Sequence, residues 1–355
     1  MTALTLGIVG CGYVADFYAQ CVASDPAELE IVAAYDIDES RARSFASTYR
    51  VRACADLDEL LDDPAVSVVV NLTPPAAHAD ITERALRAGK HVFSEKPFVM
   101  DLDRGRDLVR LAIRLGLALG SAPAVHRSPA ARYLLESIAG GRVGPVSHLY
   151  CDLDDGPLHR MSPHSWRSTR GVPWPLADEF GVGPVLHHLP YALTWAVALC
   201  GPVEHVQGHT AVRVESKYGA PAGPDLCIAV LRHAGGRLSR ITVGALARRC
   251  RELLVVGEEG ELFLPDMWSV DGPVLLDQRP VLSPQPQWPY DSTHRLNFDQ
   301  GLRDMAQCLR GGGGAAFTEH YGRLALHVTE LSLALGRPGP CDYRPDTTCP
   351  VPAGR

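Results

Sequence analysis

The chain has 355 residues, 46% of them hydrophobic, so it can bury a sizeable core and is long enough for two domains rather than one. Its 34 Lys and Arg against 41 Asp and Glu leave a formal charge of -7 with no long basic run, which argues against nucleic acid as a direct partner. No apolar run reaches the roughly 20 residues of a membrane helix, and Met1-Thr2-Ala3 lacks the charged start of a secretory leader, so neither a membrane nor export is expected and the expected setting is cytoplasmic.

From Leu4 to about Ser121 short β-branched runs alternate with segments whose apolar residues recur at spacings of three and four. The runs predict strands at Leu4–Val9, Glu30–Tyr35, Val66–Leu72, His91–Phe93 and Leu117–Gly120, and helices at Val14–Ala23, Glu39–Tyr49, Ala77–Ala88 and Leu102–Leu115, the last with Asp101 as its N-cap. That alternation belongs to βαβ units in a doubly wound parallel sheet, an α/β domain over 1–122. After it the style changes. A helix at Pro129–Ala139, a strand at Val146–Cys151, a polar and aromatic loop from Asp152 to Phe180 and an apolar helix at Val185–Leu199 come first. Runs at Val203–Val214, Leu226–Arg232, Leu238–Ala245, Arg251–Val256 and Glu261–Leu264, parted by glycine-containing turns, predict a large, mostly antiparallel open sheet, making 123–340 an α+β domain. Helices at Leu296–Leu309 and Tyr321–Leu335 follow, and the stretch rich in Pro and Gly from Gly336 on reads as a surface tail, set apart from 341 to 355. Gly311–Gly314 reads as a flexible connector and Pro273–Pro289 as an ordered loop or lid.

The ten cysteines are scattered without a C-x-x-C pair, which suits reduced core thiols and no metal; Cys341 and Cys349 alone could meet on oxidation.

The first candidate site lies where the strand Leu4–Val9 runs into Gly10-Cys11-Gly12-Tyr13-Val14-Ala15. A strand that stops at Gly10 and restarts as a helix after Gly12 offers a pyrophosphate the free N–H groups and positive dipole end of that helix, Gly12 leaves room for the approach, and Ala15 supplies the third small position. Asp36, closing the next strand, can accept hydrogen bonds from both ribose hydroxyls, which favours NAD over NADP. A 2'-phosphate at about 4 Å from a carboxylate would cost on the order of 4 kcal/mol per charge pair at an effective dielectric near 20, unless a cation such as Arg41 or Arg43 intervened. The plainer alternative makes Asp36 a cap for the following helix.

Gly7-Ile8-Val9-Gly10-Cys11-Gly12, Asn71-Leu72-Thr73-Pro74-Pro75-Ala76-Ala77-His78 and Ala88-Gly89-Lys90-His91-Val92-Phe93-Ser94-Glu95-Lys96-Pro97 resemble the glucose-fructose oxidoreductase, inositol dehydrogenase and rhizopine catabolism (Gfo/Idh/MocA) family. The likeness runs on through Val143-Gly144-Pro145-Val146 and Gly181-Val182-Gly183-Pro184. It implies a Rossmann domain followed by an open sheet that lines the substrate cleft and forms a homodimer or homotetramer. It also implies NAD(P)-dependent redox at a secondary alcohol or ketone of a small polyhydroxylated molecule. Carried over by position, Lys96 would share a proton with the substrate hydroxyl, Glu95 and a cis Lys96–Pro97 bond would hold it, and Thr73, Pro74 and His78 would line the cofactor beside Gly10, Gly12, Tyr13, Val14 and Asp36. A lysine can do this near neutrality when partial burial and a nearby cation lower its pKa.

The chain departs from the family where an Asp and, four residues on, a His are usual: here stand His187 and Tyr191, with Thr194 completing a stripe on one helix face. His187 either joins Lys96 in proton handling, with Tyr191 bonding the substrate oxygen, or is a supporting residue while Lys96 works alone. His126 and Arg127 stand where the family has Arg and Phe near the substrate, and His164, Trp166, Arg167 and Arg170 lie on the loop before the helix, a set suited to a hydroxylated, acidic substrate. The leading expectation is an NAD-dependent oxidoreductase moving a hydride between nicotinamide and a sugar, sugar acid or cyclitol. The rivals are an NAD(P)-binding regulator without turnover and a redox-neutral enzyme of elimination or epimerisation.

Overall fold

The computed structural model describes residues 3–24, 26–217, 220–269, 271–282, 297–347 and 349. The elements run β1 (Leu4–Val9), α1 (Ala15–Ser24), β2 (Leu29–Tyr35), α2 (Glu39–Tyr49), β3 (Arg52–Ala53), α3 (Leu57–Asp62), β4 (Val68–Asn71), α4 (His78–Arg87), β5 (His91–Ser94), α5 (Leu102–Leu115) and β6 (Leu119–Ser121). Next come α6 (Pro129–Ala139), β7 (Val146–Asp154), α7 (Leu176–Val182), α8 (Pro184–Cys200), β8 (Val203–Ala211), β9 (Ser216–Lys217) and β10 (Ala220–Pro221). The chain continues with β11 (Leu226–His233), β12 (Leu238–Gly244), β13 (Cys250–Gly257), β14 (Glu261–Leu264), β15 (Val274–Leu276) and β16 (Arg279–Leu282). Helices α9 (Gln300–Arg310), α10 (Gly314–Phe317) and α11 (Arg323–Leu335) and the strand β17 (Gly339–Tyr343) follow.

Two compact units result. The first joins the chain up to Pro123 with Pro163–Pro175 and Phe298–Thr329; the second joins Ala124–Ser162, Leu176–Asn297 and the chain from Glu330 on. Residues 163–175 and 298–329 thus group with the chain up to Pro123 although they lie far along the sequence from it. Composition marks where the chain changes style, but not which distant segments return to pack.

In the first unit six parallel strands lie in the order β3-β2-β1-β4-β5-β6. Every residue of β4 is buried, as a central parallel strand covered on both faces requires. The strand order reverses between β1 and β4, and such a switch point leaves a crevice at the carboxyl ends where ligands bind. Helix α5 is capped by Asp101, whose carboxylate accepts from the amides of Asp103 and Arg104. Gly314, expected in a flexible connector, is packed too closely for a side chain: a Cβ there would stand 2.3 Å from the Gly116 carbonyl oxygen.

The second unit carries nine strands in the order β16-β15-β14-β13-β7-β12-β11-β8-β17, antiparallel except for the β7–β12 pair. Helix α8 lies on β7 and β12, with every residue buried except His188. The sheet shows the period of two: along β11 Cys227, Ala229 and Leu231 point inward, while Ile228 and Val230 on the other face are about half exposed. Two expectations need correction. Part of the surface tail is the edge strand β17, paired with β8; an edge tolerates Pro340 because half of its backbone groups have no strand to bond. Part of the Pro-rich segment is the hairpin β15–β16, turned at Asp277 and Gln278, both at positive φ; residues 283–289 lie outside those described. Cys341 and Cys349 are free thiols. Among the described residues no helix is long and apolar enough to cross a membrane, and no group of three or more His, Cys, Asp and Glu could hold a metal ion.

Glu330 ties the chain beyond β17 to α11. Its buried carboxylate accepts from the Tyr343 hydroxyl at 2.6 Å and from the amides of Asp346 and Thr347 at 3.1 and 3.0 Å. Burial alone would raise its pKa, but the hydrogen bonds from Thr347, Tyr343 and the two amides outweigh it and hold the carboxyl below its usual value. A depressed folded-state pKa stabilises in full above the unfolded value, near 4.3, and that gain is lost as pH falls through the folded value. Thermal melts of Glu330→Gln should therefore lie below those of the wild type at neutral pH and converge with them in acid; a gap that widened on acidification would refute the assignment.

Candidate active site

The Gly-rich loop is built by close approach. Gly10 ends β1 at φ 94, and a Cβ there would stand 2.7 Å from the Leu72 carbonyl oxygen, so glycine alone lets the loop pass the end of β4. A Cβ on Gly12, by contrast, would meet nothing within 4 Å, leaving open space over the N-terminal turn of α1. Tyr13 and Val14 make that turn, partly exposed, and Ala15 is fully buried. The Cys11 thiol, buried and near Asp36, is pushed up to about 12 and stays protonated at neutral pH.

Asp36 stands at the end of β2 with one carboxylate oxygen accepting the Cys11 amide at 2.7 Å and the other the Asp38 amide at 2.8 Å. The helix cap is Asp38, which accepts from Ser40 and Arg41, so the alternative of Asp36 as cap is excluded. Arg41 pairs with Asp38 and Arg43 with Glu39, so both cations near Asp36 in sequence are held by other carboxylates.

The second loop leaves β4 at Asn71. This buried amide accepts from the Thr73 hydroxyl at 2.7 Å and donates to the His78 carbonyl at 3.1 Å, fixing Thr73 and the exposed Pro74 at the crevice. His78, expected to line the cofactor, has no exposed surface: Nδ1 faces the Pro97 carbonyl and Nε2 the Thr73 carbonyl, each at 2.7 Å. It splints the Thr73 and Pro97 loops to each other, and burial pulls its pKa below the usual value. Glu95 is buried as well, one oxygen accepting the Tyr18 hydroxyl at 2.9 Å and the other the Lys96 amide at 3.0 Å. Lys96 itself is half-buried and joined to Pro97 by a cis bond. Glu95 thus fixes the backbone from which the lysine side chain springs.

Residues 163–175 form a strap. Arg167 and Pro173 pair across it, and the Ser168 hydroxyl accepts the Val172 amide at 3.2 Å. At its tip Arg170 enters the first unit: Nε donates to Asp16 at 2.5 Å, the Arg170 amide to the same carboxylate at 3.0 Å, and Nη2 to the Cys11 carbonyl at 2.8 Å. Arg170 therefore locks the Gly-rich loop from the carbonyl side, a role the sequence did not assign to it. Arg167 donates through Nη1 to the carbonyls of His164 and Trp166 at 2.7 and 2.9 Å. Trp166 is half-buried edge-on to Trp174, and His164 is exposed.

In the second unit Gly183 caps α8 at φ 102, where a Cβ would stand 2.6 Å from the Pro224 nitrogen, and Pro184 takes the first helical position. Pro190 has no N–H, so the Leu186 carbonyl lacks its helical partner in the turn that holds the candidate residues. His187, Tyr191 and Thr194 are all buried. The His187 Nδ1 lies 3.5 Å from the carboxylate of Glu179 on α7, so a carboxylate accompanies the imidazole although the family's Asp is absent. Sequence spacing gave no sign of Glu179, which belongs to a different helix. Tyr191 packs on Trp268 with centroids 5.3 Å apart. His126 is buried in a short helical turn that packs on α8, and Arg127 is half-buried.

The strand order, the glycine loop at its switch point and the acid after β2 define a dinucleotide-binding domain, here followed by a second unit built on a nine-stranded sheet. The chain belongs to the Gfo/Idh/MocA family: the model described as the oxidoreductase family, NAD-binding Rossmann fold, matches residues 4–122, and that of the family's C-terminal domain matches 131–263. A UDP-N-acetylglucosamine 3-dehydrogenase of Acidithiobacillus ferrooxidans is 32% identical over 43% of this chain and 50% of its own. A trans-1,2-dihydrobenzene-1,2-diol dehydrogenase of Danio rerio is 25% identical over 87% of this chain and 89% of its own. The chain spans about a third to a half of the length of the first curated relatives it matches. Among solved structures, the WlbA dehydrogenase of Bordetella pertussis, in complex with NADH and UDP-GlcNAcA, shares the fold with a TM-score of 0.73, 20% identity and coverage of 97% and 99%.

Proposed function

We propose that the protein is an NAD-dependent oxidoreductase acting on a secondary alcohol or ketone of a small polyhydroxylated substrate. The observation that carries this is the conjunction, in one unit, of an open Gly12 turn, a two-sided Asp36 carboxylate and Lys96 on a loop braced by Glu95 and His78. These residues fit a dinucleotide. The N-terminus of α1 would receive the pyrophosphate, Asp36 the adenosine ribose, and Thr73 and Pro74 would flank the bound cofactor. Bound there, a nicotinamide supplies the means to accept or return two electrons at the substrate carbon. Lys96 holds the proton of the substrate oxygen and takes or gives it as the carbon changes oxidation state. Within the second unit, the carboxylate of Glu179 3.5 Å from the buried His187 imidazole supports retained proton handling over a lost site. The relatives named as dehydrogenases of a sugar nucleotide and of a cyclic diol support an alcohol as substrate.

NAD is the proposed cofactor because the carboxylate of Asp36 disfavours a 2'-phosphate, while Arg41 and Arg43 lie in exposed pairs with Asp38 and Glu39. Binding titrations should show Asp36→Ala losing about ten- to a hundredfold in NAD affinity, two charge-assisted hydrogen bonds being removed, with NADP affected far less. Equal losses for both cofactors would sink the preference. The function itself is tested by following NADH formation with sugars, sugar acids and cyclitols. NAD binding without turnover on any of them would favour a regulator, and solvent deuterium exchanged into product without net NADH a redox-neutral enzyme.

A further inference from the structure

The peptide that joins Glu95 to Lys96 sets the direction in which the lysine leaves the backbone. Its carbonyl accepts from the Ser121 hydroxyl at 3.3 Å, but that hydroxyl also lies 3.2 Å from the Ala122 carbonyl and has a single proton to give. Its N–H donates to Oε2 of Glu95 at 3.0 Å. A bond from a peptide to the side chain of the preceding residue holds only as firmly as that side chain is itself held. The hold comes from outside the loop: Oε1 of Glu95 accepts the hydroxyl of Tyr18, 77 residues earlier in the chain, at 2.9 Å. Hydrogen bonds to a carboxylate are among the stronger ones, and this one is shielded from water, Tyr18 being fully buried and Glu95 only 8% exposed.

The ring that carries this hydroxyl is packed on the far side. Tyr18 meets Phe298 with centroids 5.4 Å apart, Phe298 meets Phe17 at 5.5 Å, and Phe17 meets Tyr13 at 5.3 Å. All four belong to the first unit, Phe298 at the start of the segment that returns to it. Tyr13 lies in the turn that opens α1, and Tyr18 stands in the first turn of the helix proper. Close-packed interiors pass a displacement on rather than absorb it. The turn at the head of α1 and the Lys96 loop are thus joined by one ring cluster and two hydrogen bonds.

We infer that Tyr18 is a positioning residue for Lys96: its hydroxyl orients the Glu95 carboxylate and with it the lysine, and its ring ties that setting to the turn that would receive the pyrophosphate. This rests on the reading of α1 and Lys96 as parts of one dinucleotide-dependent site. The chain has three lysines, Lys90, Lys96 and Lys217, so trace acetylation with mass spectrometry scores each separately. Lys90, whose ammonium donates to the carbonyls of Asp63 and Val66 at 2.7 and 2.8 Å, is the internal reference. Tyr18→Phe keeps the ring against Phe298 and removes only the hydroxyl. Lys96 should then acetylate several-fold faster relative to Lys90 than in the wild type. Saturating ADP-ribose, which has the pyrophosphate but no nicotinamide to shade the amine, should slow Lys96 in the wild type and leave it unchanged in Tyr18→Phe. With a substrate that yields NADH, kcat should fall about thirtyfold and KM stay within about threefold, as expected when a reacting group is misplaced but binding is intact. A Lys96 to Lys90 ratio equal in the two folded proteins, or ADP-ribose slowing both alike, overturns the inference. A raised ratio without NADH from any sugar, sugar acid or cyclitol leaves the role of Tyr18 standing and sinks the oxidoreductase reading. NADH formed equally by both proteins, with equal ratios, does the reverse. Should Tyr18→Phe fail to fold, the ratio in Glu95→Ala, which lacks the carboxylate through which Tyr18 acts, decides.

Discussion

Replacing Lys96 by methionine is expected to lower turnover about a thousandfold, the middle of the range for a positioned acid–base group, while NAD affinity changes no more than a few-fold. Methionine keeps the length and the apolar stem of the side chain and removes only the ammonium. The loop that presents it does not depend on that ammonium: Glu95 accepts from the Lys96 amide and the Tyr18 hydroxyl, while the His78 ring lies between the carbonyls of Thr73 and Pro97, 2.7 Å from each, and its one N–H bonds one of them. The variant should therefore fold and bind cofactor, which separates loss of proton transfer from loss of the site. Steady-state rates together with direct NAD titration check both halves. Turnover that survives within about tenfold would assign the proton to a group other than Lys96.

What the sequence discloses follows from how local each signal is. The glycine loop could be read because strand, turn and helix are contiguous, and Gly10 is required by its approach to Leu72, a contact the motif encodes. Asp36 and Asp38 were not separable by propensity, since either could cap α2; the register of β1 on β2 decides, bringing the Cys11 amide onto Asp36. Strand β3 spans two residues and α3 six, too short for a period to register, although Asp56 accepting the Glu59 amide is a cap that could have been noticed. The β15–β16 turn was missed because Asp277-Gln278 lacks the glycine usual where both central residues have positive φ. The partners of Glu330, of His187 and above all of Arg170 come from elsewhere in the chain, where no spacing rule reaches.

Arg170→Ala is expected to be the most damaging substitution for stability. Arg170 and Asp16 have side chains 2% and 1% exposed, so the alanine leaves a carboxylate in the interior with only the Tyr49 hydroxyl and one strap amide to hold it. Breaking a buried pair from one side typically costs about 3–5 kcal/mol, out of a total of roughly 5–15 kcal/mol for a domain. A fall in the melting temperature of roughly 10 °C should follow. The guanidinium also donates to the carbonyls of Cys11 and Gly12 and lies 5.0 Å from the Phe45 ring, so its loss loosens the loop that would receive the pyrophosphate and NAD affinity should fall as well. The double substitution Asp16→Ala with Arg170→Ala removes both charges and should cost less than the sum of the two single ones, because the penalty of each single change lies in the charge it abandons. Melting curves and NAD titrations of the four proteins close the cycle. Additive losses would show that the two charges do not depend on each other, and an Arg170→Ala protein melting within about a degree of wild type would show that the strap is held by other contacts, such as the Gln20 amide donating to the Thr169 hydroxyl.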